Sequence, residues 1–276
     1  MPRVWVKGEA KRVSVGRVVK LEGVSNVRDL GGIGVAGNRV VKPGLLYRGS
    51  ALSGATEHDC EVLFGQLHIG CVVDVRCGWE RREKPDVAVP GVNNLHIPFY
   101  DQDIVGIEYT EPAEGTKTIG RDAACNPDHF YRSLSNPLTV GQMRRGIRTL
   151  FGRAMDGCPT YVHCSGGKDR AGIMALLVLT VLGADNEAIL DDYLLTNVSR
   201  DRHYEETFAR FLRFSQGDAD LARELVESHS ARPQNLAAFY EAIADAYGTM
   251  DSFVRTQLGI DADEQVRIRE CCTMAA

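Results

Sequence analysis

Several features that would indicate other classes of protein are missing from this 276-residue chain. Its 8 cysteines include no Cys-x2-Cys pair, so we expect free thiols and neither a metal nor another cofactor. The longest apolar run, residues 171–182, is too short to span a bilayer. No secretory or lipidation pattern is seen. These absences predict a cytoplasmic protein that does not insert into membranes.

Lysine is also scarce, with 7 residues, and the net charge is −5. A protein that binds nucleic acid usually carries a basic stripe or patch. We therefore expect no nucleic-acid partner. The sequence does not predict an oligomeric state.

The order of apolar patterns predicts an α/β fold with a central, mostly parallel sheet flanked by helices and a helical C-terminal half. The continuous apolar run at 71–75 indicates a strand covered on both faces, and residues 159–163 indicate a further strand. We expect one domain over 1–276, with an N-terminal hairpin at about 3–20 and a helical part at about 171–270. The segment 100–126 is too long for an ordinary connection and predicts a mobile lid.

The most informative segment runs from His163 to Gly172, with the sequence HCSGGKDRAG. Cys164 and Arg170 stand at the two ends of a glycine-containing turn that follows a strand and precedes an apolar helix. Backbone N–H groups of such a turn, together with a helix N-terminus, bind anions. A neighbouring cation and a helix N-terminus also favour a reactive thiolate. The segment therefore predicts a nucleophilic cysteine beneath a phosphate-binding loop, although a buried structural cysteine is the simpler alternative.

This segment resembles the His-Cys-x5-Arg signature of cysteine-dependent protein tyrosine phosphatases. Its Gly-Lys-Asp-Arg sequence resembles that of the bacterial and fungal subgroup of tyrosine, dual-specificity and phosphoinositide phosphatases. Supporting blocks lie at 26–32, 46–50, 72–76 and 183–197. The resemblance covers about residues 22–270 and implies a fold like that of tyrosine phosphatases.

In this interpretation Cys164 attacks phosphorus and forms a phosphocysteine intermediate, while Arg170 clamps two phosphate oxygens. His163 either supports the loop or is a core histidine. Lys168 either adds charge for a second phosphate or is a solvated surface residue. The full set of predicted phosphate-binding residues is Ser165, Gly166, Gly167, Lys168, Arg170, Ala171 and Gly172.

The general acid has several candidates. Asp169 lies inside the loop, in a position that the resemblance makes a plausible donor. Asp101 and Asp103 open the predicted lid, and Asp74 ends a central strand. Any of them could instead be a solvated or ion-paired carboxylate.

Ala171 departs from the family signature, which usually has Ser or Thr there. That hydroxyl is thought to help the cysteine sulfur leave in the second step, so its loss predicts slow breakdown of the intermediate. Arg28, Asp29, Arg48 and Arg76 interrupt apolar blocks. We expect them to form structural ion pairs, with a pocket role as the alternative.

The leading hypothesis is a metal-independent phosphomonoester hydrolase. Its substrate would be a phosphotyrosine protein, a phosphoinositide or a small-molecule phosphate such as a nucleoside or sugar phosphate. A non-catalytic phosphate-binding module and a sulfur-transfer enzyme are the alternatives from other classes.

Overall fold

A computed structural model describes residues 17–100, 127–200, 204–228 and 230–276 of the chain. Nearly all of the predicted N-terminal hairpin and lid therefore fall outside the described residues. The same holds for two general-acid candidates, Asp101 and Asp103.

Short strands build two sheets in the described part of the chain. They are β1 (Arg28–Asp29), β2 (Gly34–Val35), β3 (Arg39–Val41), β4 (Leu46–Gly49), β5 (Cys71–Asp74), β6 (Asn93–His96), β7 (Thr160–His163) and β8 (Thr273–Ala275). The central sheet has the order β1-β4-β7-β5-β6, in which only β1 is antiparallel to its neighbour. This arrangement confirms the predicted mostly parallel sheet.

The register of the central sheet places the cysteine-containing turn at its carboxyl edge. His163, the last residue of β7, lies opposite Gly49 on one side and Asp74 on the other. The chain therefore leaves β7 at Cys164 between the ends of two neighbouring strands. In open α/β sheets, ligands bind at this edge.

Helices flank the sheet and dominate the C-terminal half, as predicted. They are α1 (Glu57–Cys60, continued by a π-helical stretch at Glu61–Gln66), α2 (Gly78–Glu83), α3 (Pro127–Ser133), α4 (Pro137–Met155), α5 (Arg170–Leu182), α6 (Asn186–Arg200), α7 (Tyr204–Phe214), α8 (Ala219–Ser228), α9 (Pro233–Tyr247), α10 (Met250–Thr256) and α11 (Ala262–Cys272). Over these described ranges, no helix has both the length and the apolarity that crossing a membrane requires.

Helix α5 runs through the core. It is apolar on every side and all but one of its residues are buried, because it packs between the sheet and helices α4, α6 and α11. It ends at Gly183, whose φ of 91° is the left-handed conformation common at helix C-termini. The helix thereby presents a rigid N-terminus at the carboxyl edge of the sheet.

The second sheet is built on a tight hairpin. Strands β2 and β3 pair around Gly37 and Asn38, whose φ values of 79° and 53° lie in the left-handed region. The third strand, β8, was not predicted from the sequence, and neither was helix α2. Strand β8 pairs antiparallel with β3, with Val41 opposite Thr273.

A buried cluster of charges ties α6 to the two strands at one side of the central sheet. Asp192 on α6 accepts hydrogen bonds from Arg28 Nε at 3.2 Å and from Arg48 Nη1 at 2.8 Å. Burial raises the pKa of the Asp192 carboxyl, but the two guanidiniums lower it by more, so its pKa lies well below the usual range. Both arginines thus form the structural ion pairs that the sequence predicted.

Replacing Asp192 with asparagine should destabilise the fold strongly, because two buried guanidiniums would lose their countercharge. We expect the free energy of unfolding at pH 7 to fall by about 3 kcal/mol or more. Since the folded-state pKa is depressed, the wild-type contribution should itself fade as pH drops below about 4. Urea unfolding measures both effects.

The matched control is Asp251→Asn, which removes an exposed pair with Arg255. It should cost less than about 1 kcal/mol. Equal losses in the two variants would show that the buried cluster does not stabilise the fold in this way.

Candidate active site

The candidate site is the cysteine loop, residues 164–169, which joins β7 to α5. Cys164 is 3% exposed, and Arg170, the first residue of α5, is 8% exposed. Burial lowers the pKa of Arg170, but the charges of Tyr100, Glu80 and Cys164 raise it well above its usual range. The thiol and the guanidinium therefore lie close enough to interact electrostatically.

Four successive carbonyl oxygens of the loop accept hydrogen bonds from groups outside it. The donors are Ala51 N to Ser165 O (3.2 Å), Asn26 Nδ2 to Gly166 O (3.1 Å), Arg48 Nη2 to Gly167 O (2.8 Å) and Arg48 Nη2 to Lys168 O (3.1 Å). No described peptide bond is cis, and in a trans unit the N–H points opposite to the C=O. The N–H groups of residues 166–169 thus point away from these donors, toward the inside of the loop, an arrangement of successive amides that is typical of anion-binding concavities.

Gly167 is needed for this loop conformation. Its φ is +68°, in the left-handed region, and an added Cβ would lie 2.4 Å from Gly49 C and 2.8 Å from Ser50 N. The adjacent Gly166 has no such restriction, because a Cβ there would meet nothing within 4 Å. Of the two glycines, only Gly167 is required by close packing against β4.

Glu80 on α2 holds the Arg170 side chain in a bidentate pair, with Nη1–Oε2 and Nη2–Oε1 distances of 2.5 and 2.7 Å. The same carboxylate accepts from Ser165 Oγ and from Cys77 N. Burial raises the pKa of Glu80, but these donors, led by Arg170, bring it down to about 2. The Tyr100 ring lies 5.5 Å from the guanidinium carbon, a cation–π distance. Arg170 is therefore oriented at every physiological pH.

Glu80 was not among the site residues predicted from the sequence. The available signal was the Cys77-x2-Glu80 spacing of a capping box, which the structure forms with Cys in place of the usual Ser or Thr.

Asp169 lies at the end of the loop, with its side chain 33% exposed. Its Oδ1 accepts a hydrogen bond from Tyr131 Oη at 2.5 Å and lies 3.3 Å from Lys168 Nζ. Burial raises the pKa of this carboxyl, but the Lys168 charge and the Tyr131 hydroxyl lower it below its usual range. Lys168 is itself 8% exposed, so it is not the solvated surface lysine of the simpler interpretation.

Asp74 is placed differently. It is fully buried, and both of its carboxylate oxygens accept hydrogen bonds from Arg76, at 2.9 and 2.8 Å. Burial raises the pKa of the Asp74 carboxyl, but Arg76 and His163 lower it by more, so this pKa lies below its usual range. This geometry favours the ion-paired alternative over a role as general acid.

His163 is also buried. Its Nε2 lies 3.2 Å from Asp86 Oδ2, and its ring stacks on Tyr161 at 5.6 Å. The ligand atoms of Asp74, Asp86 and His163 lie within 4.8 Å of one another, a spacing that could hold a metal ion. The guanidinium of Arg76 already binds both carboxylates, however, and supplies the positive charge there. These contacts favour the interpretation of His163 as a residue that supports the loop from the core.

Ala171 and Gly172 occupy the first turn of α5. Ala171 is fully buried and brings no hydroxyl to the loop. A Cβ on Gly172 would lie 3.0 Å from Arg48 Nη2 and 3.2 Å from the Tyr193 ring. A larger residue at 172 would therefore displace the side chain that holds the loop carbonyls.

Comparison with known proteins agrees with this geometry. A sequence model described as "Tyrosine phosphatase family" matches residues 19–273. The chain is 28% identical over 238 residues to a Cupriavidus necator protein named as a tyrosine-protein phosphatase, with coverage of 86% of this chain and 83% of the other. It is also 28% identical over 267 residues to the triple specificity protein phosphatase PtpB of Mycobacterium tuberculosis, with coverage of 86% and 93%.

Among solved structures, TpbA of P. aeruginosa aligns with 73% of this chain and 90% of its own, at 17% identity and a TM-score of 0.29.

Replacing Gly167 with alanine should damage anion binding. Left-handed backbone costs an alanine about 1–2 kcal/mol, and the added Cβ would clash with Gly49. We expect the affinity for inorganic phosphate to fall by about tenfold or more, measured by titration calorimetry. Gly166→Ala is the matched control and should bind within about threefold of the wild type. Equal affinities in the two variants would contradict the proposed loop geometry.

Proposed function

The chain belongs to the tyrosine phosphatase family, and we propose that this phosphatase hydrolyses phosphomonoesters through a phosphocysteine intermediate on Cys164, without a metal ion. The observation that carries the proposal is the orientation of the loop peptides. Their carbonyls are hydrogen-bonded from outside, so successive N–H groups converge beside a buried cysteine and a buried arginine. Such preorganised donors stabilise the charge that develops on a transferring phosphoryl group.

In the first step, the thiolate of Cys164 attacks phosphorus while the bond from phosphorus to the leaving oxygen breaks. The loop amides and the Arg170 guanidinium bind the non-bridging oxygens. Arg170 suits this role because its planar fork can make two parallel hydrogen bonds to phosphate. Glu80 binds the Nη1 and Nη2 end of the guanidinium and keeps it in one orientation before the substrate arrives, so the edge that includes Nε would bind the phosphate.

The leaving oxygen needs a proton, and Asp169 is the donor that we propose. It borders the loop and is partly exposed, whereas Asp74 is enclosed by Arg76. The pKa of Asp169 is low in the free protein. A bound phosphate dianion brings like charge next to it and raises that pKa, so the acid form becomes available when the substrate is bound.

In the second step, water attacks phosphorus and the bond between sulfur and phosphorus breaks. The Asp169 carboxylate takes a proton from the water, and the Cys164 thiolate leaves. Ala171 supplies no hydroxyl to stabilise that thiolate, so this step should limit turnover.

The substrate that we propose is phosphotyrosine in proteins. The relatives named as tyrosine and triple specificity phosphatases support this choice. A small-molecule phosphate, such as a nucleoside or sugar phosphate, is the alternative. The same loop would bind its phosphoryl group, so only the leaving group distinguishes the two substrates.

Phosphate release should depend on Cys164 and not on metal. In EDTA, Cys164→Ser should lower the release rate by roughly 10⁴-fold or more, as loss of a nucleophile does in other covalent catalysts, and should retain phosphate binding. Cys271→Ser, at an exposed thiol, is the control and should match the wild type.

The assay panel contains a phosphotyrosine peptide, a phosphoserine peptide, a phosphoinositide and nucleoside and sugar phosphates. The preferred member identifies the substrate class. Release by Cys164→Ser at the wild-type rate would refute the cysteine mechanism.

Wild-type enzyme should show a burst of leaving-group release, followed by slower turnover. Ala171→Ser adds a donor for the departing sulfur, and we expect it to raise the steady-state rate by about 5–10-fold and to shrink the burst. Rapid-quench measurements with an aryl phosphate test this. Fast turnover by the wild type without a burst would show that another donor replaces the missing hydroxyl.

A further inference from the structure

A chain of buried polar side chains runs from Asp169 into the helical part of the protein. Tyr131 Oη on α3 lies 2.5 Å from Asp169 Oδ1. Tyr193 Oη on α6 lies 2.6 Å from Tyr131 Oη, and Asn235 Nδ2 on α9 lies 2.8 Å from Tyr193 Oη. Three helices that are separate in sequence thus converge on one carboxylate of the loop.

The direction of each hydrogen bond in this chain follows from the chemistry of its members. An ionised carboxylate only accepts, so the single proton of Tyr131 goes to Asp169. Tyr131 must then accept from Tyr193, and Tyr193 in turn accepts from the amide of Asn235. If the amide oxygen of Asn235 faced Tyr193 instead, Tyr193 would donate its proton to that oxygen. No proton would then lie between the hydroxyls of Tyr193 and Tyr131. The order of donation is therefore Asn235 to Tyr193 to Tyr131 to Asp169.

The chain is buried throughout. Tyr131 and Tyr193 are each 1% exposed and Asn235 is 0% exposed. Burying hydroxyls and an amide is costly unless they are hydrogen-bonded. Apolar residues of similar volume would fill the same space without that cost. Packing alone therefore does not explain these buried polar groups, whereas hydrogen bonding to the carboxylate of Asp169 does.

We propose that Tyr131 is a positioning residue for Asp169, and that Tyr193 and Asn235 orient its hydroxyl so that Asp169 can transfer a proton to and from the substrate. This inference rests on the proposed function, in which Asp169 is the general acid. The described contacts of the carboxylate, from Tyr131 and Lys168, both fall on Oδ1. Oδ2 is then the oxygen that carries the transferred proton.

The charged and titratable groups that face Asp169 are Lys168 from the loop, Arg170 from the start of α5, Tyr131 from α3 and Tyr193 from α6. Lys168, Arg170 and Tyr131 lower the pKa of the carboxyl against the opposing effect of burial. Removing the Tyr131 hydroxyl removes a hydrogen bond to the charged form. The pKa of Asp169 should therefore rise in its absence.

The test compares the pH dependence of the burst in wild type and Tyr131→Phe by rapid quench, because the burst rate constant reports the first step while the second step limits turnover. The variant keeps the ring that packs edge-on against Phe130 at 5.3 Å. We expect the burst rate constant to fall by about tenfold, because the acid is no longer held in place, and the substrate concentration that half-saturates the burst to stay within about threefold. The alkaline limb of the burst rate constant, where the acid loses its proton, should move up by about 0.5–1 pH unit.

The leaving group provides a second readout. An aryl phosphate with a strongly electron-withdrawing ring needs little protonation, so Tyr131→Phe should affect it less than phosphotyrosine or an alkyl phosphate. A hydroxyl that only supported the fold would lower the burst rate constant equally for all leaving groups and at every pH. That result would overturn the proposal.

Two further variants serve as a control and as a substitute for Tyr131→Phe. Tyr247→Phe is the matched control, because it removes a hydroxyl that donates to Ser135 O at 2.8 Å and does not belong to the hydrogen-bonded chain that ends at Asp169, and it should leave the pH profile unchanged. If Tyr131→Phe does not fold, Tyr193→Phe tests the same chain and should shift the limb in the same direction. An unshifted limb in a folded Tyr193→Phe would then count against the proposal.

The experiment also separates this inference from the proposed function. Asp169→Asn should abolish the alkaline limb. If it does so and the tyrosine variants leave the limb in place, the positioning role is wrong while the acid assignment stands. If Asp169→Asn leaves the limb intact, the acid assignment itself fails and the inference fails with it.

Discussion

Arg48 connects the stability of the protein to the shape of its candidate site. One nitrogen of its guanidinium binds Asp192, and another donates to the carbonyls of Gly167 and Lys168. An arginine cannot be neutralised inside a protein, so its burial requires a countercharge and hydrogen-bond acceptors. The fold provides the countercharge and the loop provides acceptors. The loop amides therefore point inward before any anion is bound, and little reorganisation is needed when one arrives.

A second constraint is the accumulation of positive charge at the carboxyl edge of the central sheet. Lys168, Arg170 and the N-terminus of α5 would repel one another without nearby carboxylates. Glu80 and Asp169 supply that negative charge, each in a distinct way. Glu80 is enclosed by donors and has a pKa of about 2, so it stays ionised and fixes Arg170. Asp169 is partly exposed, so incoming phosphate can change its protonation state, which suits a group that transfers protons.

The helical C-terminal half supports the loop from behind. Helix α5 fills the core, and α6 carries both Asp192 and Tyr193 on neighbouring positions. Asp192 binds the arginines that hold the loop, and Tyr193 belongs to the hydrogen-bonded chain that ends at Asp169. A single helix thus contributes to the orientation of the loop peptides and to that of the carboxyl group.

Much of the architecture follows from the sequence alone, because apolar periodicity and turn residues act between neighbours along the chain. The strand before Cys164, the apolar helix after it and the glycine turn between them are local features, and the structure contains all three. Strand β8 escaped prediction because three residues carry no periodicity and its partner β3 lies far away in sequence. The sequence likewise did not show which side chains contact the residues of the candidate site. Only the tertiary structure decided that Arg170 meets Glu80 and that Asp192 meets Arg28 and Arg48, since local patterns place charges on elements but the packing of those elements selects which charges meet.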